Sequence, residues 1–265
     1  MSQYTNQQGI QYNQIMQSNN KQLQLTLQNI SECFTSTECR DRLLKIIQYS
    51  CLWISWYNYR DKSRFSRFFQ IYQSIYDARR LIRLLKSIIC IPNIQDLFQN
   101  LKKTNKFQQS CLITTNIFYL LFYVIDNVAI LSKIQFLKFD YRKVKKYGYP
   151  MWLIGLLSAL IYYIIKLKQS FKKESELKTL MLNNMTPKEF CQAILQITEE
   201  RKNYSLNIIR IVGDLIVAVQ RNNIPEFLLH TRFNRGLVAF GGLLSSLISF
   251  YQFYSKNKKL IQQQK

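Results

Sequence analysis

Histidine is almost missing from this chain: one residue, His230, in 265. That argues against a Cys/His metal site, and none of the six cysteines (Cys33, Cys39, Cys51, Cys90, Cys111 and Cys191) forms a CxxC pair. Scattered thiols filling core space are the expectation. Glycine and proline are scarce, at 7 and 4, which favours long helices over turn-rich sheets. Acidic residues are few as well: 15 Asp and Glu stand against 37 Lys and Arg, for a formal net charge of +22. There is no GxxxxGK phosphate loop, no GxGxxG fingerprint and no carboxylate pair at acid/base spacing. No catalytic residue, cofactor or metal is therefore expected. The positive charge suits nucleic acid or phospholipid headgroups alike. No zinc finger, RNA-recognition sheet or basic zipper accompanies it, so nucleic acid is not an expected partner.

What the chain does have is apolar and aromatic material. Hydrophobic residues make up 48%, with 17 Tyr, 17 Phe and 3 Trp. Tyr and Trp suit boundaries where one end is wet and the other apolar. Mean hydropathy is -0.15, low for a protein packed with spans. A few membrane segments joined by amphipathic helices satisfy both observations. The head, residues 1–36, is rich in Gln and Asn and is expected to be disordered.

The first clear helix is TECRDRLLKIIQYSCLWISWY, with Thr37 placed to cap and Glu38 and Asp41 at its positive end. The second, Ser63 to Ile89, carries apolar residues at steps of three or four: Phe65, Phe68, Phe69, Tyr72, Ile75, Tyr76, Ile82, Leu85 and Ile89. Arg64, Arg67, Arg79, Arg80, Arg83 and Lys86 flank this stripe. Rings beneath headgroups and cations on phosphates would make it an interfacial helix. A stripe packed on a neighbouring helix fits the periodicity equally well. Ile91-Pro92 is expected to end the segment.

Three uncharged or nearly uncharged stretches follow. Cys111–Ser132 is long enough for a span, which needs about 20 residues. Its Asp126 must reach an interface, pair with a cation or be buried in a bundle. A basic loop with Lys138, Arg142, Lys143, Lys145 and Lys146 comes next, suited to anionic lipid. Tyr149–Ile165 is short for a span; Gly155 and Ala159 permit a close neighbour. Thr186, Pro187 and Glu189 spell a capping box that opens another long helix. Within it Asp214 reads as a satisfied structural acid. Gly236–Tyr254 is the strongest span: nineteen residues without a charge, with Arg232 and Arg235 before and Lys256, Lys258 and Lys259 after. Gly241, Ser245 and Ser249, with Gly242 and Ser246, recur every four residues and permit close helix packing.

Four blocks in order resemble the peroxisomal biogenesis factor 11 family. They are Arg40, Asp41, Arg42, Leu43, Leu44, Gln48 and Tyr49; then Ala78, Arg79, Arg83 and Lys86; then Asp126 and Asn127; then Asp214 followed by GGLLSSLISFYQFY. The similarity runs from about residue 37 to 254. Ser50 departs from it, standing where many members have glycine. The resemblance implies a peroxisomal membrane protein of organelle elongation and division, with two main spans and both termini in the cytosol.

The expected architecture is all-α: an integral membrane helical protein with amphipathic interfacial helices and two or three membrane-spanning or embedded helices. Its parts are the head (1–36), an amphipathic helical region (37–110), membrane-associated helices with the basic loop (111–165), a polar linker (166–185), a long helix and turn (186–235), the last span (236–254) and a basic tail (255–265). Expected membrane-insertion residues are Phe65, Phe68, Phe69, Tyr72, Ile75 and Tyr76. Expected headgroup contacts are Arg64, Arg67, Arg79, Arg80, Arg83, Lys86, Arg142, Lys143, Lys145 and Lys146. Gly241, Ser245 and Ser249 are expected at helix contacts. Expected partners are anionic phospholipids, further copies of the chain and organelle-division factors. A metabolite pore built by an oligomer, with Asp126 and Asp214 lining polar surfaces, and a subunit of a mitochondrial membrane complex are the rival readings.

Overall fold

A computed structural model describes residues 24, 31, 34–84, 86–99, 106–184 and 186–263. Most of the Gln/Asn-rich head, stripe residue Leu85 and residues 100–105 lie outside that set, as do the side chains of Ile89, Lys258 and Lys259. The described residues form an all-α protein of eight helices: α1 (Thr37–Tyr57), α2 (Lys62–Ile82), α3 (Lys86–Gln99), α4 (Lys106–Lys133), α5 (Tyr141–Asn184), α6 (Pro187–Arg221), α7 (Ile224–Leu229) and α8 (Arg235–Gln263).

Local chemistry sets the helix starts. Ser36, one residue before the expected Thr37, caps α1 by accepting from the Glu38 amide. Asp61 caps α2 and Asp140 accepts from the amides of Arg142 and Lys143 at the start of α5. Thr186 and Glu189 form the capping box of α6, with Pro187 in its first turn. Other boundaries differ from the sequence expectation. α2 ends at Ile82, with Arg83 as its C-cap, and a new helix starts at Lys86 and carries Pro92 inside it. Helix α5 starts well before Pro150, absorbing much of the basic loop, and continues to Asn184 through the expected linker. Residues 166–184 lack proline and glycine, so a polar composition does not stop the helix. The cysteines also differ: Cys39 is fully buried and disulfide-bonded, whereas Cys51, Cys90, Cys111 and Cys191 are free thiols.

Six helices close a ring. In order around it, α1 packs on α8, α8 on α6, α6 on α5, α5 on α4, α4 on α2, and α2 back on α1; α3 lies against α4. Small residues make the ring tight at α8. A Cβ on Gly213 of α6 would stand 2.5 Å from the carbonyl oxygen of Gly241, and one on Gly242 would stand 2.2 Å from the Tyr49 ring of α1. Ser245 and Ser246 are wholly buried in the same seam. On α5, Gly155 admits the Tyr119 ring and the Phe118 Cβ of α4. One core cluster joins Tyr49, Leu52, Tyr72, Val217, Val238 and Ala239; a second joins Leu156, Ala159, Ile211 and Ala218.

Three of these helices are long and apolar enough to cross a membrane: Lys106–Lys133, Tyr141–Thr179 and Arg235–Lys256. Large apolar side chains stay exposed on each, including Leu121 and Val124 on α4, Leu157 and Ile161 on α5, and Phe240 and Leu247 on α8. From Tyr163 onward, α5 and α6 run on as a paired hairpin, held by Tyr163 with Tyr204 and by Glu174 with Arg201.

Candidate functional site

The inner face of the ring is polar. A cavity of about 290 Å³ is lined from every side, by Asp41 and Lys45 of α1, Arg79 and Arg83 of α2, Tyr119 of α4, Trp152 of α5, Asp214 of α6 and Ser249 of α8. Carboxylates on one helix meet cations on another here. Arg79 is 6% exposed; its Nε donates to Asp41 Oδ1 at 2.9 Å and its Nη1 to Gln48 Oε1 at 2.6 Å. Arg80 is 1% exposed; its Nε donates to Asp126 Oδ1 at 2.6 Å and its Nη2 to the Asp126 carbonyl at 3.2 Å. Arg83 lies between the two acids, 3.9 Å from Asp41 and 3.6 Å from Asp126. Lys45 donates to Asp214 at 2.7 Å, and Arg42 donates to the Ser249 hydroxyl at 2.7 Å.

These contacts tune the charges. Burial raises the Asp41 carboxyl, but the Arg79 and Arg83 guanidiniums outweigh it and leave the group below its ordinary value. Burial pulls the Lys45 ammonium down, against the opposing pull of Asp214. The requirement that Asp126 find a cation is met by Arg80, from a helix that sequence spacing does not connect to it.

A second, larger space of about 720 Å³ lies beside the first and shares Tyr76, Tyr149 and Arg221 with it. Lys133, Tyr141 and Arg235 line it. These residues are the C-terminus of α4 and the N-termini of α5 and α8, so the three apolar helices all present one end to this cleft.

The residues expected to meet lipid divide into two sets. Arg64, Arg67, Arg142, Lys143 and Lys146 are exposed. Arg79 and Arg80 face the interior, because Asp41 and Asp126 meet them there, so their guanidiniums are not on the outer surface. Arg83, Lys86 and Lys145 are half-buried, with Lys86 over the Tyr123 ring. The α2 stripe from Phe65 to Tyr76 is likewise turned inward, whereas Ile82 stays exposed. Tyr72 belongs to the first core cluster, and Phe68 and Phe69 pack against it. Phe65 stacks on Phe69, and Arg235 sits over both rings. Ile75 and Tyr76 are half-buried. Periodicity identifies such a face without saying what covers it; here α1 and α8 do. Of the small residues, Gly241 and Ser245 face Gly213, and Ser249 receives Arg42, all within one chain. Arg221 and Tyr141 are members of the cleft that the sequence did not mark, and Arg235 and Tyr149 were marked only as bounds of apolar stretches. Their only signal was position at helix ends beside apolar stretches.

The chain is similar in sequence to known peroxisomal membrane proteins. The family model described as Peroxisomal biogenesis factor 11 matches residues 27–254. Peroxisomal membrane protein PMP30A of Candida boidinii is 23% identical over 248 residues, covering 84% of this chain and 92% of that protein. Peroxisomal membrane protein PMP30B of the same organism is 22% identical over 242 residues, covering 84% of this chain and 92% of that protein. A Peroxisomal membrane protein 11 homolog of Dictyostelium discoideum is 23% identical over 248 residues, covering 87% and 95%. No solved structure matches the chain.

Proposed function

This chain belongs to the peroxisomal biogenesis factor 11 family, and from that premise we propose that it is embedded in the peroxisomal membrane, binds anionic phospholipid, self-associates and remodels the bilayer to promote peroxisome elongation, proliferation and fission. The observation that carries this reading is the placement of exposed apolar side chains. They run along α4, α5 and α8, the three helices long and apolar enough to span, while Lys45, Arg79, Arg80 and Asp214 of α1, α2 and α6 pair inward. A bilayer would cover the first set and leave the exposed cations at its boundary. The comparisons lend no support to the mitochondrial alternative; the relatives named are peroxisomal membrane proteins.

Headgroup attraction in this reading falls to Arg64, Arg67, Arg142, Lys143 and Lys146, each contributing about 1 kcal/mol near an anionic surface. Phe65, Phe68, Phe69 and Tyr72 reach lipid only when α2 leaves α1 and α8. Copies associate through apolar faces that the ring leaves exposed, and division factors dock on parts outside the bilayer. The test is location with extractability: a tagged protein imaged against organelle markers, and its membranes treated with alkaline carbonate. Peroxisomal signal that resists extraction is expected; release into the supernatant would overturn the embedded reading. Tubulation of anionic vesicles, reduced when Arg64, Arg67, Arg142 and Lys143 are changed to Gln, checks the remodelling step.

One observation favours a second reading, passage of small solutes. The cavity and the cleft share lining residues along the inside of one ring. Solute flux into reconstituted vesicles that keep their shape would favour it over remodelling.

A further inference from the structure

The larger cleft holds charge that the rest of the ring does not balance. Its lining includes Lys133, Lys145, Lys146, Arg221, Arg232 and Arg235, against one acid, Asp77. Lys133 pairs with Asp77, and Arg232 with Glu226 at 2.6 Å. Among the described residues, no carboxylate pairs with Lys145, Lys146, Arg221 or Arg235. Four cations around one cleft repel each other, and an anion among them would relieve that repulsion.

The cleft is also built to hold these groups in place. Arg221 is half-buried, donates to the Tyr72 hydroxyl and lies 5.2 Å from the Tyr76 ring centroid. Lys145 donates to the Tyr141 hydroxyl at 2.8 Å and sits over the rings of Tyr76, Tyr141 and Tyr149 at 4.6, 5.1 and 5.9 Å. Arg235 is steadied at the rim by Phe65 and Phe69, and Lys146 is exposed there. Aromatic faces hold cations without neutralising them, so the positive field is kept for a ligand. Guanidinium and ammonium donors converging with a tyrosine hydroxyl match a phosphate group, which offers several strong acceptors and up to two charges.

We propose that this cleft, between α2, the α4–α5 turn and the α6–α8 connection, is a stoichiometric binding site for a phosphomonoester, gripped by Lys145, Lys146, Arg221 and Arg235. The site differs from diffuse headgroup attraction in taking one phosphate per chain, and it does not depend on membrane remodelling. Two sources share this chemistry: a phosphatidic-acid headgroup and a soluble phosphate ester. The ends of all three apolar helices at the cleft favour the lipid.

The experiment uses the full-length protein in detergent micelles, with native mass spectrometry and titration reading retained ligand. The probes are phosphatidic acid, phosphatidylcholine and glycerol 3-phosphate. One phosphatidic acid per chain, retained in preference to phosphatidylcholine, is expected. Lys146→Gln with Arg235→Gln, both at the rim, should weaken retention about tenfold or more. Arg221→Gln should do the same, and Arg221→Lys should restore part of it. Melting profiles of the rim variant guard against loss of fold. If glycerol 3-phosphate binds as tightly as the lipid, the site stands and its ligand is soluble. If Arg142→Gln with Lys143→Gln, outside the cleft, weakens retention as much as the rim pair, binding is bulk electrostatics and the proposal falls. Retention unchanged by the rim pair and by Arg221→Gln also overturns it. Neither result bears on carbonate extraction, so the membrane reading stands or falls separately.

Discussion

The two ends of α2 carry the same kind of sequence and meet opposite fates. At the first end, Arg64 and Arg67 are exposed; among the described residues Arg64 pairs with the neighbouring Asp61 alone. At the other, Arg79 and Arg80 are buried and gripped by Asp41 of α1 and Asp126 of α4. Spacing along the helix does not distinguish them. What separates them is a carboxylate on another helix, brought across by ring closure. An arginine at a stripe margin is therefore a lipid contact or an internal clamp according to the acid opposite it.

Removing those acids should break the contrast most strongly. Asp126→Asn would take the carboxylate from Arg80, whose side chain is fully buried, leaving it neutral oxygens alone, and would weaken the hold on Arg83. Breaking one partner of such a pair typically costs about 3–5 kcal/mol; unfolding of the detergent-solubilised protein measures it. Asp41→Asn should cost less, about 1.5–3 kcal/mol, because Arg79 keeps the Gln48 amide oxygen at 2.6 Å and is less completely buried than Arg80. A melt at neutral pH is the check, and a loss equal to that at Asp126 would remove the ranking. Acid should act in the same sense. The Asp41 carboxyl lies below its ordinary value when folded, so its stabilisation is full above the unfolded value, near about pH 4, and is lost as pH falls through the lower folded value. Melting temperature of the wild type should fall more steeply over that interval than that of Asp41→Asn. At the exposed end, Arg64→Gln with Arg67→Gln should move stability by no more than about 0.5 kcal/mol. The same pair should weaken cosedimentation with anionic vesicles, more so at low salt. A stability loss there comparable to Asp41→Asn would mean that both ends of α2 are clamps.

Much of the fold was legible. The capping box at Thr186 is formed by the named residues, and the small residues of α8 sit where helices approach most closely. The three apolar stretches all fall in helices long enough to cross a membrane. Where helices continue was less legible: Pro150 and the polar run 166–184 look like boundaries, yet α5 passes through both. The covering of the α2 stripe was illegible for another reason. Its faces are completed by α1 and α8, and the latter lies more than 150 residues along the chain. Arg221 shows the same limit, since its partner Tyr72 is 149 residues away.

The length of α5 has a consequence for distance. An apolar bilayer core is about 30 Å thick, and residues 149–165 fill most of it at about 1.5 Å per residue. The remaining turns, from Lys166 to Asn184, add roughly 28 Å, and α6 runs back beside them. With the apolar stretch seated in the membrane, this hairpin is a mast. Its tip, near Thr186, stands about 20 Å beyond the headgroup layer, more than two Debye lengths of about 8 Å. A protein moored there would not feel the headgroup field, and would meet the organelle at a fixed standoff, whatever the lipids below.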